Sequence, residues 1–123
     1  MRFRLVVLAS GAVLMAVGIA TSATATTTVV PTLRGTIGPG FTISLKSTHG
    51  KNVTTLKRGK YTFSVRDQAN IHNFTLNGPG VRNKMITGTS FVGTKRVALT
   101  LKKGTYKFYC TVHPTITGTF KVT

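Results

Sequence analysis

Three residues in this chain have the types and spacing for metal chemistry. Cys110 is the only cysteine, and His113 follows it by three positions in the stretch YKFYCTVHPTITGTFK, residues 106–121. His72 lies 38 positions before the cysteine, in NIHNFTL. A thiolate is a soft, strongly donating ligand. With two imidazoles it makes a His₂Cys set of the kind that holds copper for electron transfer, with a weak or missing axial ligand. Zinc accepts the same donors, usually with a fourth ligand or water. A cysteine and a histidine are also the parts of a nucleophilic pair. That reading lacks an orienting acid, because Asp67 is the sole carboxylate side chain and falls in a polar turn five residues before His72. The remaining histidine, His49, lies in a polar loop beside Gly50 and reads as an exposed loop residue.

A small exported domain is expected to hold these residues. Met1 to Arg4 is basic, Leu5 to Ala20 is apolar, and small residues follow up to Ala25. This is the layout of a secretory signal peptide over residues 1–25. The apolar run is short for a stable membrane span. An uncleaved N-terminal anchor is the alternative. The expected product is residues 26–123, one domain, monomeric, with no transmembrane segment after cleavage, in a periplasm or at the cell surface. One cysteine cannot make an internal disulfide, and a lone thiol in an exported protein needs a reason. Metal ligation supplies one; a buried inert thiol and an intermolecular disulfide are the others.

The formal charge is +16, from 17 basic residues and one acid. Without Arg2 and Arg4 it is about +14. Such a surface attracts anions. An acidic redox protein and an anionic envelope surface are the expected partners. Export, and the lack of zinc-finger, helix-turn-helix or RNP-like patterns, exclude nucleic acid as the physiological one.

From Thr26 the chain reads as β throughout, rich in Val, Ile, Thr, Phe and Tyr and without helical periodicity. Residues 26–40 read as a linker and first edge strand, with a turn over Gly35–Gly40. Phe41, Ile43 and Leu45 then alternate on one face, as do Tyr61, Phe63 and Val65. His72 shares parity with Phe74 and Leu76, so it falls on an apolar face. Tyr106, Phe108 and Cys110 likewise share a face. Met85 reads as a possible core contact. One echo stands out: LKRGKYTF at 56–63 matches LKKGTYKF at 101–108. Each copy reads as a hairpin with alternating aromatics. Seven or eight strands in a Greek-key β-sandwich, with the metal at one end, accommodate all of this.

With these motifs in place, the chain resembles the cupredoxin family, the plastocyanin and amicyanin type of small blue-copper protein, over about residues 41–123. The resemblance implies that His72, Cys110 and His113 bind one copper per chain. It implies that Asn73 ties the ligand loops together while its amide donates to the thiolate. It makes Pro114 part of an apolar rim around the second histidine, and Gly118 the opening of the last strand. One position departs from the pattern. The family's axial methionine would fall at Ile116, which cannot coordinate. The resemblance then implies a three-coordinate site with copper cycling between Cu(I) and Cu(II) and a raised reduction potential, and no enzymatic activity. Copper storage or sensing, or a metal-free cationic envelope module, are the other readings.

Overall fold

The structure, a computed structural model, describes residues 10–123. The basic start and the beginning of the apolar run expected in the leader lie outside them. Residues 10–29 are exposed and carry no regular structure. No helix among the described residues is long and apolar enough to cross a membrane.

Among the described residues nine strands make two sheets. β1 (Thr32–Ile37), β2 (Ile43–Lys46), β4 (Gly59–Asp67) and β7 (Gly93–Leu101) form one sheet in the order β2-β1-β4-β7. β3 (Thr55–Leu56), β5 (Phe74–Gly78), β6 (Val81–Thr87), β8 (Gly104–Tyr109) and β9 (Thr117–Val122) form the other in the order β3-β9-β8-β5-β6. The strands found among the described residues all lie within residues 32–122.

The alternation seen in the sequence determines which faces meet. In β4, Tyr61, Phe63 and Val65 point inward; in β8, Tyr106 and Phe108 do. Phe74 stacks on Phe108 with centroids 5.8 Å apart, and Tyr106 on Phe120 at 5.2 Å. Each large apolar side chain removed from water contributes roughly 1.5–3 kcal/mol. Gly118 and Gly78 have no side chain because the rings of Phe108 and Tyr106 lie flat against them; a Cβ at either would collide.

Several expectations change. The first strand lies at Thr32–Ile37 and is flanked by β2 and β4, so it is not an edge. It runs through Gly35, where a turn was expected, because a residue without Cβ is needed against Val65 and the Phe74 ring. The two echoed segments are not hairpins. β3 passes to β4, and β7 to β8, across from one sheet to the other. Gly59 and Gly104 take φ of 146° and 143° at these crossings, a conformation that favours glycine. Phe41 does not share the inward face of Ile43 and Leu45; it precedes β2 and is 68% exposed. Met85 faces outward from β6 and is half exposed. Asp67 ends β4 and is buried, and its Oδ1 accepts the Ala69 N–H at 3.3 Å in the local turn pattern expected of it.

Strand direction gives the sandwich two poles. Segments 38–42, 68–73, 88–92 and 110–116 meet at one; segments 47–54, 57–58, 79–80 and 102–103 meet at the other.

Candidate metal centre

Cys110 continues the inward parity of β8 and is fully buried. The loop after it closes on itself. The Cys110 N–H donates to the Ile116 carbonyl at 3.2 Å, and the Ile116 N–H donates to the His113 carbonyl at 2.9 Å. That closure turns His113 back toward the sulfur, with Nδ1 3.8 Å from Sγ. His72, fully buried just before β5, brings its Nδ1 to 4.0 Å from Sγ and 3.2 Å from the His113 Nδ1. Its ring is backed by Gly38, where a Cβ would stand 3.1 Å from the His72 Cδ2.

The donor set fits a cation. A thiolate and two deprotonated Nδ1 atoms can share one cation; without it, the 3.2 Å approach of the two Nδ1 atoms needs a proton on one of them. Ligands 2.0–2.3 Å from one ion in a trigonal plane stand about 3.5–3.7 Å apart. The observed separations of 3.2, 3.8 and 4.0 Å bracket that value. Among the described residues this is the one group of three side chains placed to share an ion.

Asn73 joins the loops. Its backbone N–H donates to the Cys110 Sγ at 3.4 Å. Its side-chain amide donates to Thr111 Oγ1 at 2.7 Å and Thr89 Oγ1 at 3.1 Å. Its Oδ1 accepts from Thr75 Oγ1 at 2.8 Å and from the Thr111 N–H at 3.1 Å. Nothing in the residue pattern marked the threonine partners, since threonine is common along the whole chain.

Phe41 also belongs to the site. Its ring stands edge-on to His113 and His72, with centroids 5.0 and 5.6 Å away. Val112 and Ile71 are exposed next to the two histidines in the chain, and Pro114 follows His113. Nothing in the sequence marked Phe41, because it continues the alternation of Ile43 and Leu45. Ile116 is buried, and Met85 points out of another strand, so no methionine supplies an axial donor among the described residues.

Asp67 is the one acid near this pole. Burial pushes its carboxyl above the ordinary carboxylate range, opposed by the Thr87 hydroxyl, the Ala69 amide and the nearby His72 ring. A raised folded-state pKa means the native state holds the proton more tightly than the unfolded chain. The resulting stabilisation is complete below pH 3.8 and is lost as pH rises through the folded-state value. The metal-free protein is therefore expected to gain melting temperature on acidification through that window. The gain should be smaller in Asp67→Asn. Parallel thermal melts of the two proteins measure the difference, and coincident profiles would mean that Asp67 carries none of the effect.

No family model matches the chain, and a comparison with curated proteins finds no match. Among solved structures the chain is similar to the copper protein rusticyanin, at 19% identity and a TM-score of 0.51, covering 75% of this chain and 76% of that one. Reduced rusticyanin gives 21% identity and a TM-score of 0.52, covering 75% and 78%. A methionine-to-glutamine mutant of rusticyanin gives 21% and 0.50, covering 75% and 76%. This likeness shows the fold, a cupredoxin-like β-sandwich.

Proposed function

We propose that this protein is an exported electron carrier binding one copper ion per chain through His72, Cys110 and His113. The convergence of one sulfur and two Nδ1 atoms at 3.2–4.0 Å, with an N–H already donated to the sulfur, is the observation that carries this reading. Copper, when bound, supplies a single-electron couple between Cu(I) and Cu(II). The chain holds its donors in place before the ion arrives, so little rearrangement accompanies a change of charge. The residue three positions after His113 is Ile116, which offers no fourth donor. Copper tolerates three strong ligands better than zinc, which favours a tetrahedral set.

His113 is partly exposed and sits in the apolar rim with Phe41 and Pro114, which suits electron exit through its ring edge. The partner is an acidic redox protein that meets this rim transiently. The overall positive charge accelerates the encounter, and salt slows it. The site requires no covalent chemistry of the chain. The functional product is residues 26–123 after removal of a signal peptide over 1–25, in a periplasm or at the cell surface.

Titration with Cu(II) tests the assignment. One equivalent should produce an intense visible charge-transfer band and a copper-dependent rise in melting temperature. Neither effect would leave a metal-free cationic envelope module as the function. Ile116→Met adds a thioether where the axial donor is missing. It should favour Cu(II) and lower the midpoint potential, by about 59 mV for each tenfold preference gained. Voltammetry of the two proteins measures this; an unchanged or raised potential would show that residue 116 does not face the ion.

A further inference from the structure

The two poles differ in charge. The four segments at the metal end, 38–42, 68–73, 88–92 and 110–116, contain no lysine or arginine. The turns at the opposite end carry Lys51, Lys57, Arg58, Lys102 and Lys103, all exposed, and Lys60 adds another at the start of β4. The register draws several of these together. Gly59 pairs with Leu101, which sets turn 57–58 beside turn 102–103, and the Arg58 N–H donates to the Thr123 carbonyl at 3.0 Å. The chain's only acidic side chain, Asp67, is buried at the other end of β4 and does not offset them.

The path of the chain adds a second observation. Thr32 pairs with Thr62, and the Pro31 carbonyl accepts the Thr62 N–H at 2.9 Å, so the segment before β1 leaves the sandwich on the side of this same cationic pole. That segment carries the apolar run of residues 5–20. An anionic surface therefore meets the pole from which the apolar leader emerges.

We infer that the pole opposite the metal centre docks on an anionic lipid bilayer, holding the His113 rim away from the membrane and toward redox partners. The ligand chemistry is a layer of phosphate-bearing headgroups. The binding is electrostatic, reversible and salt-sensitive, because the lysines reach the headgroups without burying apolar surface. An acidic protein or a soluble anionic polymer would satisfy the same charges, but only a bilayer is also the surface that the apolar run of the unprocessed chain enters on the side of this pole.

Vesicle binding tests the inference without copper. Residues 26–123, which contain every strand, are mixed with vesicles of phosphatidylglycerol and phosphatidylcholine, and with phosphatidylcholine alone. Binding is expected only to the anionic vesicles and should fall as salt rises. Neutralising Lys51, Lys57, Arg58 and Lys103 together to Gln should weaken it roughly a hundredfold or more, at about fivefold for each basic residue near the surface. A control with Arg66, Lys84, Lys95 and Arg96 changed to Gln removes the same charge away from this pole, mostly from the metal-side ends of β4 and β7, and should lose far less. Thermal melts confirm that both variants fold. Hydrogen exchange on the vesicles should slow the turn amides at 57–60 and 102–104 and leave 110–116 unchanged. Equal losses in the two variants, protection at the metal end, or binding to soluble polyglycerol phosphate but not to vesicles would each overturn the inference.

Discussion

Cys110→Ser is expected to leave a folded protein that gives no intense visible band with Cu(II). The sulfur is fully buried and is the only thiol in the chain, so no other side chain can restore a thiolate-to-copper transition. The serine hydroxyl can still accept the Asn73 N–H that now reaches Sγ. The metal-free fold should therefore lose only about 1–2 kcal/mol. Its response to copper changes far more. A ligand present at a thousand times its dissociation constant stabilises a native state by about 4 kcal/mol. For a domain of this size that is a rise of roughly 15–30 °C in melting temperature. The variant should lose most of that rise. Visible spectra and paired melts with and without Cu(II) measure both effects. A variant that kept the band at full intensity would remove Cys110 from the site.

Asn73→Ala should be the most damaging substitution to the fold near the site. Four side-chain hydrogen bonds disappear, to Thr75, Thr89 and twice to Thr111. The buried Thr75 hydroxyl and the part-buried Thr111 N–H lose their acceptor, and a cavity remains. Unpaired buried polar groups cost about 1–3 kcal/mol each, so a total loss of roughly 3–5 kcal/mol is expected. The backbone N–H that donates to Cys110 is unaffected by the change. The variant, kept below its lowered melting temperature, should thus still form the visible band. Urea unfolding and a spectrum at low temperature separate the two roles. A stability loss under about 1 kcal/mol would show that the amide does not join the ligand loops.

Charge placement affects how partners are met. The loops at the metal end carry no lysine or arginine, while the cations lie at the far end and on the strands. Under the proposed function, overall attraction would bring an acidic protein close, and the rim would then select contact by shape and apolar surface. High salt should slow the encounter more than it weakens the contact.

The residues themselves specified much of this. Period-two alternation in Tyr61-Phe63-Val65 and Tyr106-Phe108-Cys110 is a property of strands with one buried face, so the inward parity of the cysteine was legible without coordinates. His72 was placed by the same parity with Phe74 and Leu76. Cys110 and His113 are close enough in the chain for any tight loop to bring them together.

Long-range pairing was not legible. That the echoed glycine turns cross between sheets, that β1 lies inside its sheet, and that Phe41 leaves its strand to cover two histidines all depend on which strands become neighbours. The threonines around Asn73 and the burial of Asp67 depend on the same choice. Local pattern fixes the face a side chain presents. Only the closing of the two sheets fixes what that face meets, because contacts between distant segments are settled by packing the whole core at once.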